Sequence, residues 1–269
     1  MIEFLSYSFV QRGLVAGSLV AAACALLGVF LVLKRLSLIG DGMSHVCLTG
    51  VAVALLTSTS PVYMAVPVVA VASLGIMKLT QKFKIYGDAA IGIVSAAGLS
   101  VGLIITALAG GFNTDLLGYL FGSILTVSKT EVVGGAVLLG GVICGVVGGY
   151  RFLVATCFDE PFARTRGVPT QLVNTILVLV TSVAVVLSFK VVGIFLISAL
   201  LIIPPVSALL VSRTFKQVLW LAVLFGVVSV WVGLYISFKS DVPSGAAIIL
   251  VNLLFLLGSY LASKGVARG

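Results

Sequence analysis

The stretch from Leu38 to Gly50, LIGDGMSHVCLTG, sets a carboxylate, Asp41, four residues ahead of His45, the only histidine in the chain. On a helix, residues i and i+4 share a face one turn apart, so both side chains can reach one small object. A neutral imidazole nitrogen and a carboxylate oxygen suit zinc at about 2.0–2.2 Å and are acceptable to manganese. The two groups could instead satisfy each other. Both lie in an apolar segment, where an ionisable group costs roughly 2.5–3.5 kcal/mol on insertion scales, so their presence asks for a partner or a function. Two protein ligands are fewer than a closed structural zinc site uses, which suits a path that must release its ion.

Other chemistry finds less support. The chain has no HExxH and no GxxxxGK[ST], so it offers neither a zincin site nor a phosphate loop, and any ATP site belongs to another chain. Gly98-Leu99-Ser100-Val101-Gly102 matches GxSxG, but no strand precedes it and it falls mid-span, where small residues serve helix packing. An intramembrane hydrolase pairing Ser44 or Ser100 with His45 is the competing chemistry. Cys24, Cys47, Cys144 and Cys157 show no paired spacing and read as small hydrophobes. Only Cys47, two residues past His45, lies near the candidate ligands.

The elements that must hold these residues are membrane helices. Of 269 residues, 61% are hydrophobic and 9% charged, with a mean hydropathy of +1.30, a balance foreign to water-soluble domains. The alternation that a transmembrane barrel requires is missing. Apolar runs bounded by charges predict an all-α, polytopic transmembrane bundle of about nine spans. They fall near 9–33, 38–57, 62–77, 90–110, 131–149, 171–188, 191–211, 217–237 and 244–263, and the whole chain, 1–269, forms one transmembrane domain. Met1-Ile2-Glu3 lacks a basic lead, so the first span is expected to remain in the mature protein. Gly134, Gly135, Gly140, Gly141, Gly145, Gly148 and Gly149 read as a packing surface, and Pro204-Pro205 as a kink. Residues 111–130 are expected outside as a partly helical segment.

Basic residues orient the bundle. Lys34, Arg35, Lys78, Lys82, Lys84, Arg151, Arg164, Arg166, Arg213, Lys216, Lys264 and Arg268 fall on one side, against Arg12, Lys129, Lys190 and Lys239 on the other. The first set marks the cytoplasm, so the N-terminus is expected outside and the C-terminus inside. The longest hydrophilic interruption, 151–170, is then cytoplasmic. Asp159 and Glu160 precede Arg164, Arg166 and Gly167, which predicts a short amphipathic helix.

Four stretches carry a resemblance to a known family. They are CALLGVFLVLKRLSLIGDGMSHVCLTGVA (Cys24 to Ala52), CFDEPFARTRGV (Cys157 to Val168), VVGIFLISALLIIPP (Val191 to Pro205) and PSG (Pro243 to Gly245). The chain resembles the membrane permease subunits of bacterial ABC importers for zinc and manganese. The resemblance implies that Asp41 and His45 line the path and contact the metal, and that Asp159, Glu160, Arg164 and Gly167 belong to a helix that couples to the ATPase. It also implies a second permease copy, two ATP-binding-cassette subunits, an extracellular metal-binding protein and residence in the bacterial cell membrane. Zinc is the expected cargo ahead of manganese, with no permanently bound cofactor. Thr49 departs from the pattern, since many relatives have proline there. A gradient-driven secondary transporter without an ATPase is the alternative.

Overall fold

The computed structural model describes residues 7–108 and 128–266, and the regular structure among them is helical throughout. We number the helices α1 (Ser8–Leu33), α2 (Ile39–Leu56), α3 (Pro61–Gln81), α4 (Gly87–Leu108), α5 (Lys129–Phe158), α6 (Glu160–Thr165), α7 (Thr170–Val192), α8 (Ile194–Val211), α9 (Phe215–Ser240) and α10 (Ser244–Val266). Eight of these are long and apolar enough to cross a membrane, and α8 contains a shorter apolar helix, Leu196–Val211. Together they account for the nine expected spans. Most of the expected outside segment, up to residue 127, lies outside the described residues.

Local chemistry sets the helix boundaries. Ser128 opens α5 with a capping box: its N–H donates to Glu131 Oε2 at 2.8 Å while its side chain serves the first turn. Thr214 and Gln217 do the same for α9. Pro61 starts α3, where its missing N–H has no intrahelical duty. The corner after α1 is a Schellman motif: Arg35 N–H donates to Val32 O at 3.1 Å and Leu36 N–H to Leu31 O at 2.9 Å. Its left-handed position, usually a glycine, is here Arg35, with φ of 58°. The expected span 131–149 runs on as helix to Phe158, because Tyr150 and Arg151 can end a membrane crossing without ending a helix.

Glycines bring the backbones around α2 together. A Cβ at Gly40 would meet Leu201 and Ser198 of α8, one at Gly42 would meet Ile91 of α4, and one at Gly50 would meet Ala65 of α3. From the other side, Gly98 leaves room for Val46 and Gly102 for Thr49. The GxSxG stretch is therefore a packing seam, as its place in a span predicts. The matched order of these contacts makes α2 and α4 parallel, with both N-termini at one end.

Pro204 and Pro205 lie inside α8 without ending it. Pro205 has no N–H to offer Leu201 O, and that carbonyl faces Gly28 of α1, whose missing Cβ lets it approach. The glycine ribbon on α5 behaves differently from expectation. Gly135 packs on Leu19, but among the described residues a Cβ at Gly134, Gly140, Gly141, Gly145 or Gly148 would meet nothing within 4 Å. Among the described residues, most of that face meets no neighbour. Gly28→Ala should therefore drive a methyl into Leu201 O and cost about 1–3 kcal/mol, read as a lower melting temperature of the detergent-solubilised protein. Gly141→Ala should leave it unchanged.

Candidate metal site and docking helix

Asp41 stands in the first turn of α2, where a carboxylate favours the positive end of the helix dipole. It is exposed, whereas His45, one turn on, is half-buried. Among the described residues no ion pair joins them, so the reading in which they satisfy each other finds no support. His45 is held instead from α4: its Nδ1 lies 2.8 Å from Ser95 Oγ. The tautomer that carries its proton on Nδ1 would donate to that hydroxyl and leave the Nε2 lone pair for a metal. Cys47 is fully buried among apolar neighbours and does not share the exposed face.

The register that brings Ser95 to His45 is fixed one turn either side. Gly42 meets Ile91 and Ser95 below, and Thr49 Oγ1 donates to Gly98 O above. Thr49 thus bonds across the seam in an unbroken helix. Among the described residues no group of three or more His, Cys, Asp or Glu side chains could hold a metal ion. One copy brings two candidate ligands together, and Ser95 is a contact of His45 that sequence reasoning missed. Fifty residues separate it from His45, and a serine in a small-residue helix has no local signature of such a role.

At the end of the bundle where α2 and α4 begin, α6 lies across the surface. Asp159 caps it, accepting from Phe162 N–H at 2.9 Å. Gly167, with φ of 80°, ends it in a second Schellman motif, in which Val168 N–H donates to Ala163 O at 3.1 Å. The expected short helix is present with the expected start and stop residues. Ala163 faces inward, while Phe158, Phe162, Arg164 and Arg166 are exposed. The Arg166 guanidinium sits over the Phe162 ring at 5.2 Å.

Glu160 anchors this helix. Its Oε2 accepts from Lys34 Nζ at 3.3 Å and Asn174 Nδ2 at 3.1 Å, and its Oε1 faces Arg164 at 3.4 Å. Partial burial pushes its carboxyl upward, but Asn174, Lys34 and Arg164 outweigh burial and hold it below the usual carboxylate range. A cavity of about 1240 Å³ opens beside it, lined among others by Lys34, Leu38, Asp88, Glu160, Arg164 and Asn174.

The family model of the ABC 3 transport family matches residues 6–263. This chain belongs to that family. It is 36% identical over 97% of its length to the manganese transport system membrane protein MntC of Halalkalibacterium halodurans, covering 90% of that protein. It is 33% identical over 97% of its length to MntC of Listeria monocytogenes, covering 93% of it. Its fold matches a chain of PsaBC from Streptococcus pneumoniae, solved in complex with Fab, with a TM-score of 0.85 and 30% identity over 97% of this chain and 95% of that one. As a member of the ABC 3 transport family it is a multi-span membrane component of a transport system, and the expected family and fold are both borne out.

The lowered carboxyl of Glu160 gives α6 a pH dependence. A depressed carboxylate contributes stability above its ordinary value of 4.5 and loses it as pH falls through the lowered folded value. Glu160→Gln should therefore melt below wild type near neutral pH. The gap should narrow as the pH is taken below about 4, since the wild-type carboxylate then protonates too. A gap that widens on acidification would contradict the arrangement of charges around Glu160.

Proposed function

We propose that this chain is the permease subunit of an ATP-driven importer for a divalent transition metal, with manganese ahead of zinc. The supporting observation is the α2 face: an exposed carboxylate, a half-buried imidazole one turn on, and a serine from α4 that fixes the ring. Ligand type and the likeness of the KRLSLIGD stretch to zinc permeases favour zinc. The relatives described above carry manganese in their names, and a set of carboxylate and imidazole donors without an accessible thiolate is compatible with that metal. Two ligands per chain leave the ion under-coordinated. A second copy, related by two-fold symmetry and facing the same side of α2, would double the set to two carboxylates and two imidazoles.

The other expected partners follow from α6. Phe162 and Arg164 on α6, with Phe158 and Arg166 flanking its two ends, form a docking face of mixed apolar and charged character. In this reading α6 seats on a separate ATP-binding-cassette subunit in the cytoplasm, and a metal-binding protein delivers the ion from outside. The cytoplasmic end is the one that carries the larger set of basic residues.

Asp41→Asn and His45→Ala should each fold and assemble yet lose manganese uptake in a cell depleted of its other importers, because an exposed or half-buried site tolerates the loss of one ligand. Normal uptake by a well-folded His45→Ala permease would overturn the site. Ser95→Ala should raise the half-saturating manganese concentration by about tenfold, and Ser95→Thr should restore it. In a variant lacking Cys144, a cysteine at position 82 should react only from the cytoplasm and one at position 239 only from outside. The reverse pattern would invert the proposed orientation.

A further inference from the structure

We propose that Lys34 is the mechanical link between the docking helix α6 and the helix that carries Asp41 and His45. The inference rests on the reading of α6 as the ATPase-docking element and adds to it a residue by which force would reach the metal site. Lys34 caps the C-terminus of α1 and its side chain is only 6% exposed, an unusual place for an ammonium. A buried cation requires a counter-charge, and this one finds it in Glu160, the first residue of α6, 126 positions away.

The route from Lys34 to the metal face is short and stiff. The Schellman bonds of Arg35 and Leu36 lock the corner to the last turn of α1, Ile39 N–H donates to Leu36 O at 3.1 Å, and Gly42 N–H donates to Leu38 O at 3.0 Å. Leu36 also packs where a Cβ on Gly87, the first residue of α4, would lie. A displacement of Lys34 is thereby delivered to the first turns of both α2 and α4. A hydrogen-bonded ion pair resists pulling as well as pushing, unlike an apolar contact, which resists only compression. Asn174, donating to the same carboxylate oxygen as Lys34, ties the start of α7 into the junction.

The test uses the full complex, the permease with its ATPase subunits in lipid vesicles, with manganese as the probe and transported metal measured per ATP hydrolysed. Lys34→Met leaves Glu160 with Asn174 and Arg164, so it should fold, retain its ATPase and hydrolyse ATP. The metal moved per ATP should fall by about five- to tenfold. Exchanging the charges, Lys34→Glu with Glu160→Lys, should recover part of that ratio, and Lys34→Arg should keep most of it. An unchanged ratio in Lys34→Met overturns the link. If that variant does not fold, failure of the exchanged pair to transport better than Lys34→Glu alone overturns it. A separate variant on the exposed face of α6, Phe162→Ala with Arg166→Glu, tests the reading beneath. ATPase retention there would refute docking through α6, whereas loss of the ATPase with an unchanged Lys34→Met ratio would refute the link alone.

Discussion

Hydrocarbon gives one apolar helix no hydrophobic reason to adhere to another, so the position of α2 depends on how closely backbones can approach. The chain meets this constraint by omitting side chains where helices cross. Gly40, Gly42 and Gly50 admit α8, α4 and α3 in turn, and Gly98 and Gly102 return the accommodation from α4. At such distances hydroxyl–carbonyl bonds become possible, and Thr49 takes one to Gly98 O. The His45–Ser95 contact is a by-product of the same register. Enlarging any of these glycines would shift the register that sets His45 against Ser95.

The junction at Glu160 answers a different constraint. Here the chain leaves lipid, water screens charge, and a salt bridge between exposed groups would count for little. Lys34 is the exception because the corner, the cavity rim and α6 enclose its ammonium while leaving Glu160 about one-third open. Below this junction the Phe215 ring gathers Phe30, Tyr150 and Phe158 at 5.8–6.0 Å, so α1, α5 and α9 also converge at this level. An aromatic floor and a charged anchor together fix a helix of only six residues, which has little stability of its own.

Much of this was legible in the sequence because the bilayer restricts what a chain can do. Twenty apolar residues in a row have few alternatives to a spanning helix, and the boundary residues of α6 announced themselves at Asp159 and Gly167. Asp41 and His45 stood out as candidates for a similar reason: ionisable side chains are scarce in such segments. Pairings at long range were not. Nothing local joins Ser95 to His45 or Lys34 to Glu160, since each pairing depends on how distant helices meet. The glycines of α5 show the converse failure. Small side chains permit close packing but do not require it, and among the described residues most of that face meets no neighbour.

The parallel seam between α2 and α4 has a consequence for the way a path of this kind could open. Two helices joined by glycine contacts, a cross-seam hydroxyl bond and a shared corner would move as one rigid plate. Asp41, His45 and the serine behind it would keep their mutual geometry while the plate tilts. If the ion is shared between two copies, each chain carries a fixed half of the cradle, and the only adjustable quantity is the gap between halves. Capture and release would then be set by the separation of two unchanging surfaces, not by any rearrangement of ligands within one of them.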